Sequence, residues 1–267
     1  MTTVRRHWGP IAVISVALTF VGCATDVDVN RITHGDELEV TAVRAPGGSG
    51  DAEDAAYILE NLRAMSEARN VVGYAKSFAD YLPNQSFSIS GGEPFTLSRG
   101  VVRGKVVEAR PGAAYYVPGD ELSPDASTGT EIDFYDKRAQ WRHIEVIVEV
   151  ADGLGDVPKS GQLSFAIVSG SPDAARALRG AAALGEVIVA LEGTGHVDFN
   201  PEVHTVAHWG DAIATVDDNG VLTFPAFEDE AILKEFVGEL TTWEAIKAQA
   251  AVTKPVAEVG DLLDYVK

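Results

Sequence analysis

Three histidines and an aspartate of the segment HVDFNPEVHTVAHWGD are the residues of this chain best suited to hold a metal ion. Imidazole nitrogens beside carboxylates are ligands for zinc and copper, which makes His196, His204, His208 and Asp211 candidate metal ligands. The second half of the segment has a strand-like pattern, and a strand places His204 and His208 on one face but about 13 Å apart. One ion, about 2.0 Å from each nitrogen, cannot span that distance. The spacing therefore favours surface or turn histidines, with a metal site as the alternative.

The stretch EIDFYD combines acidic and aromatic residues inside a long insert between predicted strands. Exposed loops of this composition are suitable places for binding a partner. If the protein binds a partner, we expect this loop to contribute to the contact. The candidate residues are Glu131, Asp133, Phe134, Tyr135 and Asp136.

Motifs for nucleophilic catalysis are missing from the sequence. The chain has no G-x-S-x-G elbow and no H-E-x-x-H pair, and RGVVRGKV lacks the glycine spacing of a phosphate-binding loop. We therefore expect no catalytic residue and no cofactor. Because catalytic groups can come together in space without a linear motif, an unrecognised hydrolase stays open as an alternative.

The single cysteine of the chain, Cys23, follows directly on an apolar segment. The N-terminal residues include Arg5 and Arg6 and no acid, and residues 11–21 are apolar or small throughout. A basic start, a short apolar core and a small residue at the cut predict an export signal over residues 1–22. The apolar segment is too short for a membrane span, which needs roughly 20 residues.

The four residues Phe20, Val21, Gly22 and Cys23 resemble the lipobox of bacterial lipoproteins, with Phe20 where that pattern usually has leucine. The resemblance implies a diacylglyceryl group on the Cys23 thiol, cleavage between Gly22 and Cys23, and a lipidated N-terminus. Two acyl chains, at about 0.8 kcal/mol per buried CH₂, hold a protein firmly to a membrane. We expect the protein to be lipid-anchored on the extracytoplasmic side of the cell membrane. The alternative is an ordinary signal peptide with an incidental cysteine.

The chain is strongly acidic, with a net charge of −19 at pH 7. Removal of residues 1–22 takes away two arginines and no acid, which leaves 19 basic and 40 acidic residues and a charge of −21. A polyanion repels nucleic acid and anionic headgroups, so we expect no nucleic-acid partner. The charge favours solubility and, weakly, divalent cations or a basic partner.

Composition divides the chain into three parts. Residues 1–22 form the signal, residues 23–50 are polar and end in PGGSG, and residues 51–267 form one globular β-rich domain. The middle part predicts a flexible tether. Residues 37–43, ELEVTAV, also alternate well enough for a short strand, an alternative that would move the start of the domain upstream.

Apolar periodicity predicts one helix before the strands and two among or after them. The first begins near residue 51 and places Ile58 and Leu62 on one apolar stripe. Ser171 is a predicted cap for a helix with Pro172 in its first turn. Thr241 and Glu244 predict a capping box for the last helix. Residues 69–78 favour a strand slightly over a helix continuation, and residues 83–95 read as loop.

Alternating apolar residues predict the strands that follow, and Asn219-Gly220 predicts the turn of a hairpin. The predicted fold is mainly β (α+β): a small antiparallel, barrel-like sheet with an N-terminal helix and a C-terminal helix. Residues 66–250 look like the successive blocks of small exported bacterial barrel domains, a resemblance that implies the fold and no activity. The predicted strands are residues 100–109, 143–150, 162–168, 186–192, 203–209 and the hairpin 213–224.

Three functions remain open for such a chain. The favoured one is a non-enzymatic, membrane-anchored binding or envelope accessory module whose protein or small-molecule partner is unknown. The second is a lipoprotein that binds a small molecule or a metal ion. The third is the unrecognised hydrolase.

Overall fold

Alternating apolar residues build the strands of this chain, and four helices lie among the described strands. The computed structural model describes residues 29–34, 37–44, 52–69, 77–83, 85–89, 96–116, 129–194, 200–207, 212–227, 229–252 and 257–259. The strands are β1 (Val29–His34), β2 (Glu37–Arg44), β3 (Phe87–Ile89), β4 (Gly100–Tyr116), β5 (Thr130–Ile132), β6 (Trp141–Gly155), β7 (Gly161–Ser169), β8 (Glu186–Thr194), β9 (His204–Val206), β10 (Ile213–Val216), β11 (Leu222–Thr223) and β12 (Ala257–Val259). The helices are α1 (Ala52–Arg69), α2 (Ala174–Ala182), α3 (Glu230–Val237) and α4 (Trp243–Ala250), with a 3₁₀ turn at Phe78–Tyr81.

Five strands close into a barrel. Going round the ring, β4 pairs with β6, β6 with β7, β7 with β9, β9 with β8, and β8 again with β4. Every pair is antiparallel except β7 with β9. The long β4 closes the ring because its first part, from Gly100 to Lys105, pairs with β6 on one side and β8 on the other. The mainly β, barrel-like fold is therefore confirmed.

The order of the barrel strands along the chain identifies their topology. In chain order the strands are β4, β6, β7, β8 and β9, and the third strand, β7, lies parallel beside the fifth, β9. Helix α2 connects the third strand to the fourth. This arrangement is that of the OB-fold, a five-stranded Greek-key barrel. The connection between the first two strands of the barrel is the insert after β4.

Apolar side chains fill the barrel interior. Residues Ile144, Val146, Val148 and Val150 of β6 are at most 4% exposed, because alternate residues of a strand face the same side. Side chains from the other barrel strands meet them in one continuous core. The described part of the barrel is thus a packed core.

The segment expected to be a flexible tether contains two strands. β1 pairs with β2, and β2 continues the barrel sheet through the pairs Val43 with Ala109 and Arg44 with Glu108. The tether prediction was therefore wrong for the strands within residues 29–44. The alternative prediction, a strand at residues 37–43, corresponds to β2. The physical reason is that β8 leaves β4 after Lys105, so that the backbone groups of β4 beyond this point need another partner.

Helix α1 forms as predicted and docks on α2 through a close backbone contact. Ile58 is fully buried and Leu62 almost so. Asp54 is also buried and accepts hydrogen bonds from Arg176 Nε at 3.1 Å and Arg179 Nε at 2.9 Å. Gly180 lies where α1 passes: a Cβ at this position would stand 2.3 Å from the Asp54 carbonyl oxygen. The absence of a side chain there lets the two helices approach.

Two predicted caps are displaced along the chain. Helix α2 is capped by Asp173, which accepts from Arg176 N, and the predicted cap Ser171 lies buried two residues earlier. Helix α4 is capped by Thr242, which accepts from Ala245 N at 3.2 Å, instead of Thr241. In both cases the side chain of the residue directly before the helix accepts from the backbone N–H of the third helical residue, so this residue is the N-cap.

The predicted hairpin forms between β10 and β11, with a wider turn than two residues. Val216 pairs with Leu222. Asp217 Oδ1 accepts from Asn219 N at 2.9 Å and Val221 N at 2.8 Å, and Gly220 has φ +78°. A type I turn followed by a left-handed glycine is the usual three-residue alternative for hairpins.

Three further segments differ from the sequence predictions. β3 lies inside the segment predicted as loop and pairs in parallel with β12. β9 begins at His204, one residue after the predicted start, because Val203 N donates to Asn200 O and Val203 is therefore part of a turn. The strand favoured at residues 69–78 lies mostly outside the described residues, and Phe78 belongs to the 3₁₀ turn.

Candidate functional site

The insert between β4 and β6 returns to the barrel as a tightly bonded loop. We call residues 133–140 the Arg142 loop, after the side chain that holds it. β5 enters the loop and pairs with β4 from Ala114 to Tyr116. At the other end Gln140 N donates to Tyr115 O at 2.9 Å, directly before β6 begins. Both ends of the loop are thus fastened to the same strand.

Two aspartates shape the loop through local hydrogen bonds. Asp133 Oδ1 accepts from Tyr135 N at 2.7 Å, and Asp136 Oδ1 accepts from Arg138 N at 2.9 Å. The backbone repeats the pattern, with Asp136 N donating to Asp133 O and Ala139 N to Asp136 O. Aspartate favours such turns because its short side chain bonds the backbone two residues on.

A fully buried arginine fixes the loop from below. Arg142 is 0% exposed and lies on the face of β6 that fills the core. Its Nε donates to Phe134 O at 2.7 Å and its Nη2 to Asp136 O at 2.8 Å. Its Nη1 donates to Ala139 O at 3.3 Å and to Ser171 O at 2.5 Å. Three loop carbonyls and the start of the α2 connection are therefore held by one guanidinium.

Burial lowers the pKa of Arg142, because desolvation disfavours the charged form. The charges of Asp136 and Asp133, among others, act in the opposite direction. Carbonyl oxygens carry two lone pairs and can accept a guanidinium N–H besides a backbone N–H. The cost of burying this charge is thereby offset by four carbonyl acceptors, and these hydrogen bonds fix the loop in one conformation.

The predicted partner-binding residues divide into buried and exposed ones. Phe134 is 6% exposed and belongs to the main core, and its ring contacts that of Tyr135 at 5.1 Å between centroids. Tyr135 is half-buried against the same core. Glu131 and Asp133 are exposed. The stretch was expected to present aromatic rings to solvent, and for Phe134 that expectation was wrong, because its ring is needed to seat the loop.

A charge pair lies on the outer side of the loop. Asp136 and Arg138 form a two-pronged contact, with Arg138 Nη2 at 2.6 Å from Asp136 Oδ2. The hydrogen bond from Arg138 lowers the pKa of Asp136 to about 2. Arg138 also lies 5.9 Å from the centre of the Tyr116 ring. The carboxylate therefore stays ionised in the folded protein well below the pH at which an ordinary aspartate protonates.

An aromatic cluster supports the loop on the outside of the barrel. Tyr115 stacks on Trp141 at 5.7 Å between ring centroids and contacts the edge of His143 at 5.8 Å. Tyr115 and Trp141 are each 4% exposed and pack with Ala113 and Val168. Such ring pairs add about 0.5–1.5 kcal/mol beyond the area that they bury.

Ser171 connects the Arg142 loop to helix α1. Its carbonyl accepts from Arg142, and its hydroxyl lies 2.5 Å from Tyr57 Oη. Tyr57 in turn lies under the guanidinium of Arg176, at 4.2 Å from the ring centre. The predicted cap residue thus joins the barrel, the loop and the α1–α2 pair.

The candidate metal ligands are only partly described. His204 lies in β9, with its Nδ1 at 3.3 Å from Glu192 O. His196, His208 and Asp211 lie outside the described residues. Within the described ranges, no three histidine, cysteine, aspartate or glutamate side chains are grouped so that they could hold a metal ion.

Cys23 and its lipobox also lie outside the described residues. Among the described helices, none has the length and apolar character required to cross a bilayer.

No known protein family, no curated protein and no solved structure matches this chain. The likeness to the OB-fold therefore rests on strand order and strand direction.

Arg142 is the residue that sequence reasoning missed, although a signal for it exists. The apolar alternation of Ile144, Val146 and Val148 extends back by two residues to position 142, which places the arginine on the inward face. A charged residue in phase with the core side of a strand predicts a buried group with a full set of acceptors.

Proposed function

We propose that this protein is a lipid-anchored, extracytoplasmic binding module without enzymatic activity, which presents the Arg142 loop to a protein partner. The anchor is supported by the sequence: an export signal, the single cysteine directly after it, and the lipobox resemblance. The lipid would hold the protein to the cell membrane and leave the acidic barrel outside.

The binding role rests on one observation, the buried Arg142 that fixes three loop carbonyls. Fixing a loop before binding lowers the entropy that association costs. A charged residue at a core position contributes less to the stability of a barrel than an apolar one, because burying a guanidinium costs desolvation free energy. The arginine is thus better explained by the loop that it holds than by the stability of the barrel.

The outer surface of the loop indicates the chemistry of the partner. Glu131 and Asp133 are exposed beside the fixed backbone, and the chain as a whole is strongly acidic. Opposite charges guide encounter and select against like-charged partners. We therefore expect a partner with a basic surface. Because apolar side chains fill the described barrel interior, the outside of the barrel is the better binding surface.

The lipid anchor is tested by the intact mass of protein made in a bacterial host that processes lipoproteins. We expect loss of residues 1–22 and addition of a diacylglyceryl group, and incorporation of an alkyne-labelled fatty acid. Cys23→Ser should abolish the label, because serine has no thiol to form the thioether. Ala24→Ser, one residue further on, should leave the label unchanged. An intact N-terminus or an unmodified thiol in the wild-type protein would refute the anchor.

The binding loop is tested with a photo-crosslinking amino acid at Glu131, used on living cells of the native host. We expect a discrete adduct whose partner, identified by mass spectrometry, has a basic surface. The matched control is the same amino acid at Glu149, which is exposed on β6 and lies about 26 Å along the strand from Trp141. Equal adducts from both positions, or none from Glu131, would contradict the proposal.

A further inference from the structure

The chain enters the sheet close to the middle of the barrel. β1 begins at Val29, which pairs with Val43 of β2, and Val43 pairs with Ala109 of β4. Two strand spacings separate Val29 from Ala109, about 10 Å. The entry point of the folded domain is therefore on the side of the barrel, next to its longest strand.

Few residues separate this entry point from the proposed anchor. Residues 24–28 are the only ones between Cys23 and Val29. Fully extended, the six Cα steps from Cys23 to Val29 reach about 20 Å. A flexible tether that ended at residue 50 would have an average reach of about 30 Å and a maximum several times larger. The pairing of β1 and β2 thus removes most of the tether that the composition predicted.

We infer that the hairpin of β1 and β2 faces the lipid headgroups at close range, so that the membrane surface is the neighbour of this side of the barrel. The inference rests on the proposed lipidation of Cys23. Among the described strands, β1 has a partner on one edge only, β2, which leaves its other edge for the lipid side. A domain with a charge of −21 is repelled by anionic headgroups, so the covalent link and not electrostatic adhesion keeps the hairpin there.

The same geometry limits where the Arg142 loop can act. From Ala109 to Tyr116, where β4 ends before the insert, seven residues extend at most about 24 Å. The loop therefore stays within a few tens of ångströms of the bilayer, which is within reach of a partner attached to, or embedded in, the same membrane.

The experiment measures the distance from two labelled positions to the lipid surface in vesicles of the lipidated protein. Because the lipid occupies the thiol of Cys23, an added cysteine is the single site for a fluorescent donor. Thr33→Cys places the donor in β1, and Ser160→Cys places it at the exposed β6–β7 turn. That turn follows Gly155, which pairs with Gly100, nine residues of β4 from Ala109 and about 30 Å along the strand. The acceptor is a headgroup-labelled lipid.

We expect at least twofold higher energy transfer from position 33 than from position 160. Insertion of 20 glycine and serine residues after Asp28 should lower the transfer from position 33 to the level of position 160. Arg31→Cys replaces Thr33→Cys if the latter disturbs the strand. Equal transfer from positions 33 or 31 and 160 in the unextended protein would overturn the inference. The intact mass of each sample shows separately whether the lipid is present, so that a failed anchor is distinguished from a domain that stands away from the membrane.

Discussion

Replacement of Arg142 by methionine is expected to lower the free energy of unfolding by about 3–5 kcal/mol. Methionine fills much of the same volume but donates no hydrogen bond. The carbonyls of Phe134, Ala139, Asp136 and Ser171 would each lose a donor, and all of these contacts except the part-buried one to Asp136 are buried. The loss of a donor to a buried acceptor costs more than the same hydrogen bond contributes at a surface.

The measurement is urea unfolding followed by circular dichroism, with hydrogen exchange to locate the change. Amides of the Arg142 loop should exchange at least tenfold faster in the variant than in the wild type. The exchange rates of amides in the centre of β6 should rise by the same factor as the equilibrium constant for global unfolding. Arg138→Met, which removes a guanidinium of the same loop that lies at the surface, is the matched control and should have little effect. Arg142→Lys keeps the charge but offers three donors in a different geometry. Its stability should therefore lie between that of Arg142→Met and that of Arg138→Met. Unchanged hydrogen exchange in the Arg142 loop of the methionine variant would refute the role of Arg142 in holding the loop.

The Arg142 variant also separates the fold from the proposed function. If the loop is held for binding, Arg142→Lys should still contain the folded barrel but give less crosslinking from Glu131. A purely structural arginine would change stability without changing the adducts of the protein that remains folded.

The strands could be predicted from the sequence because the barrel interior imposes a period of two on each of them. Ile144, Val146, Val148 and Val150 face the core together, and their spacing in the sequence shows it. The predicted ends were less accurate, since β4 continues to Tyr116, well beyond residue 109. Strand ends depend on which neighbour is available for pairing, and local sequence carries little of that information.

The strand at residues 37–44 was only the alternative prediction, because its pairing partner is also not visible in the local sequence. Its alternation was visible, but the glycines that follow favoured a tether. Only the pairing of Val43 with Ala109, between residues far apart in the chain, gives the segment its place in the sheet. Composition reports local preference and not this distant contact, so it favoured the wrong structure.

The position of the candidate loop could be predicted from its composition, but the contacts that hold the loop could not. Acidic and aromatic residues at 131–136 pointed to a surface, but the structure places Phe134 in the core and uses Asp133 and Asp136 to form turns. Whether an aromatic ring is exposed depends on the space that the barrel leaves beneath the loop. That space is a property of the assembled strands.

Replacement of Gly180 by alanine is expected to destabilise the protein by about 1–3 kcal/mol, although helix propensity alone predicts a gain of about 1 kcal/mol. A methyl group at this position would stand 2.3 Å from the Asp54 carbonyl oxygen and 3.0 Å from Ile58 Cβ. The carbonyl belongs to the backbone of α1, so relief requires the two helices to move apart. That movement weakens the hydrogen bonds from Arg176 and Arg179 to Asp54.

The sign of the Gly180→Ala effect decides between packing and propensity. Ala175→Gly, in the same helix at a half-buried position, is the control and should cost about 1 kcal/mol through propensity alone. Both values come from thermal and urea unfolding. A stabilised Gly180→Ala variant would show that α1 is not packed on α2 at this point. Because Tyr57 of α1 bonds Ser171, and Ser171 accepts from Arg142, separation of the helices should also accelerate hydrogen exchange in the Arg142 loop, an effect that Ala175→Gly should not produce.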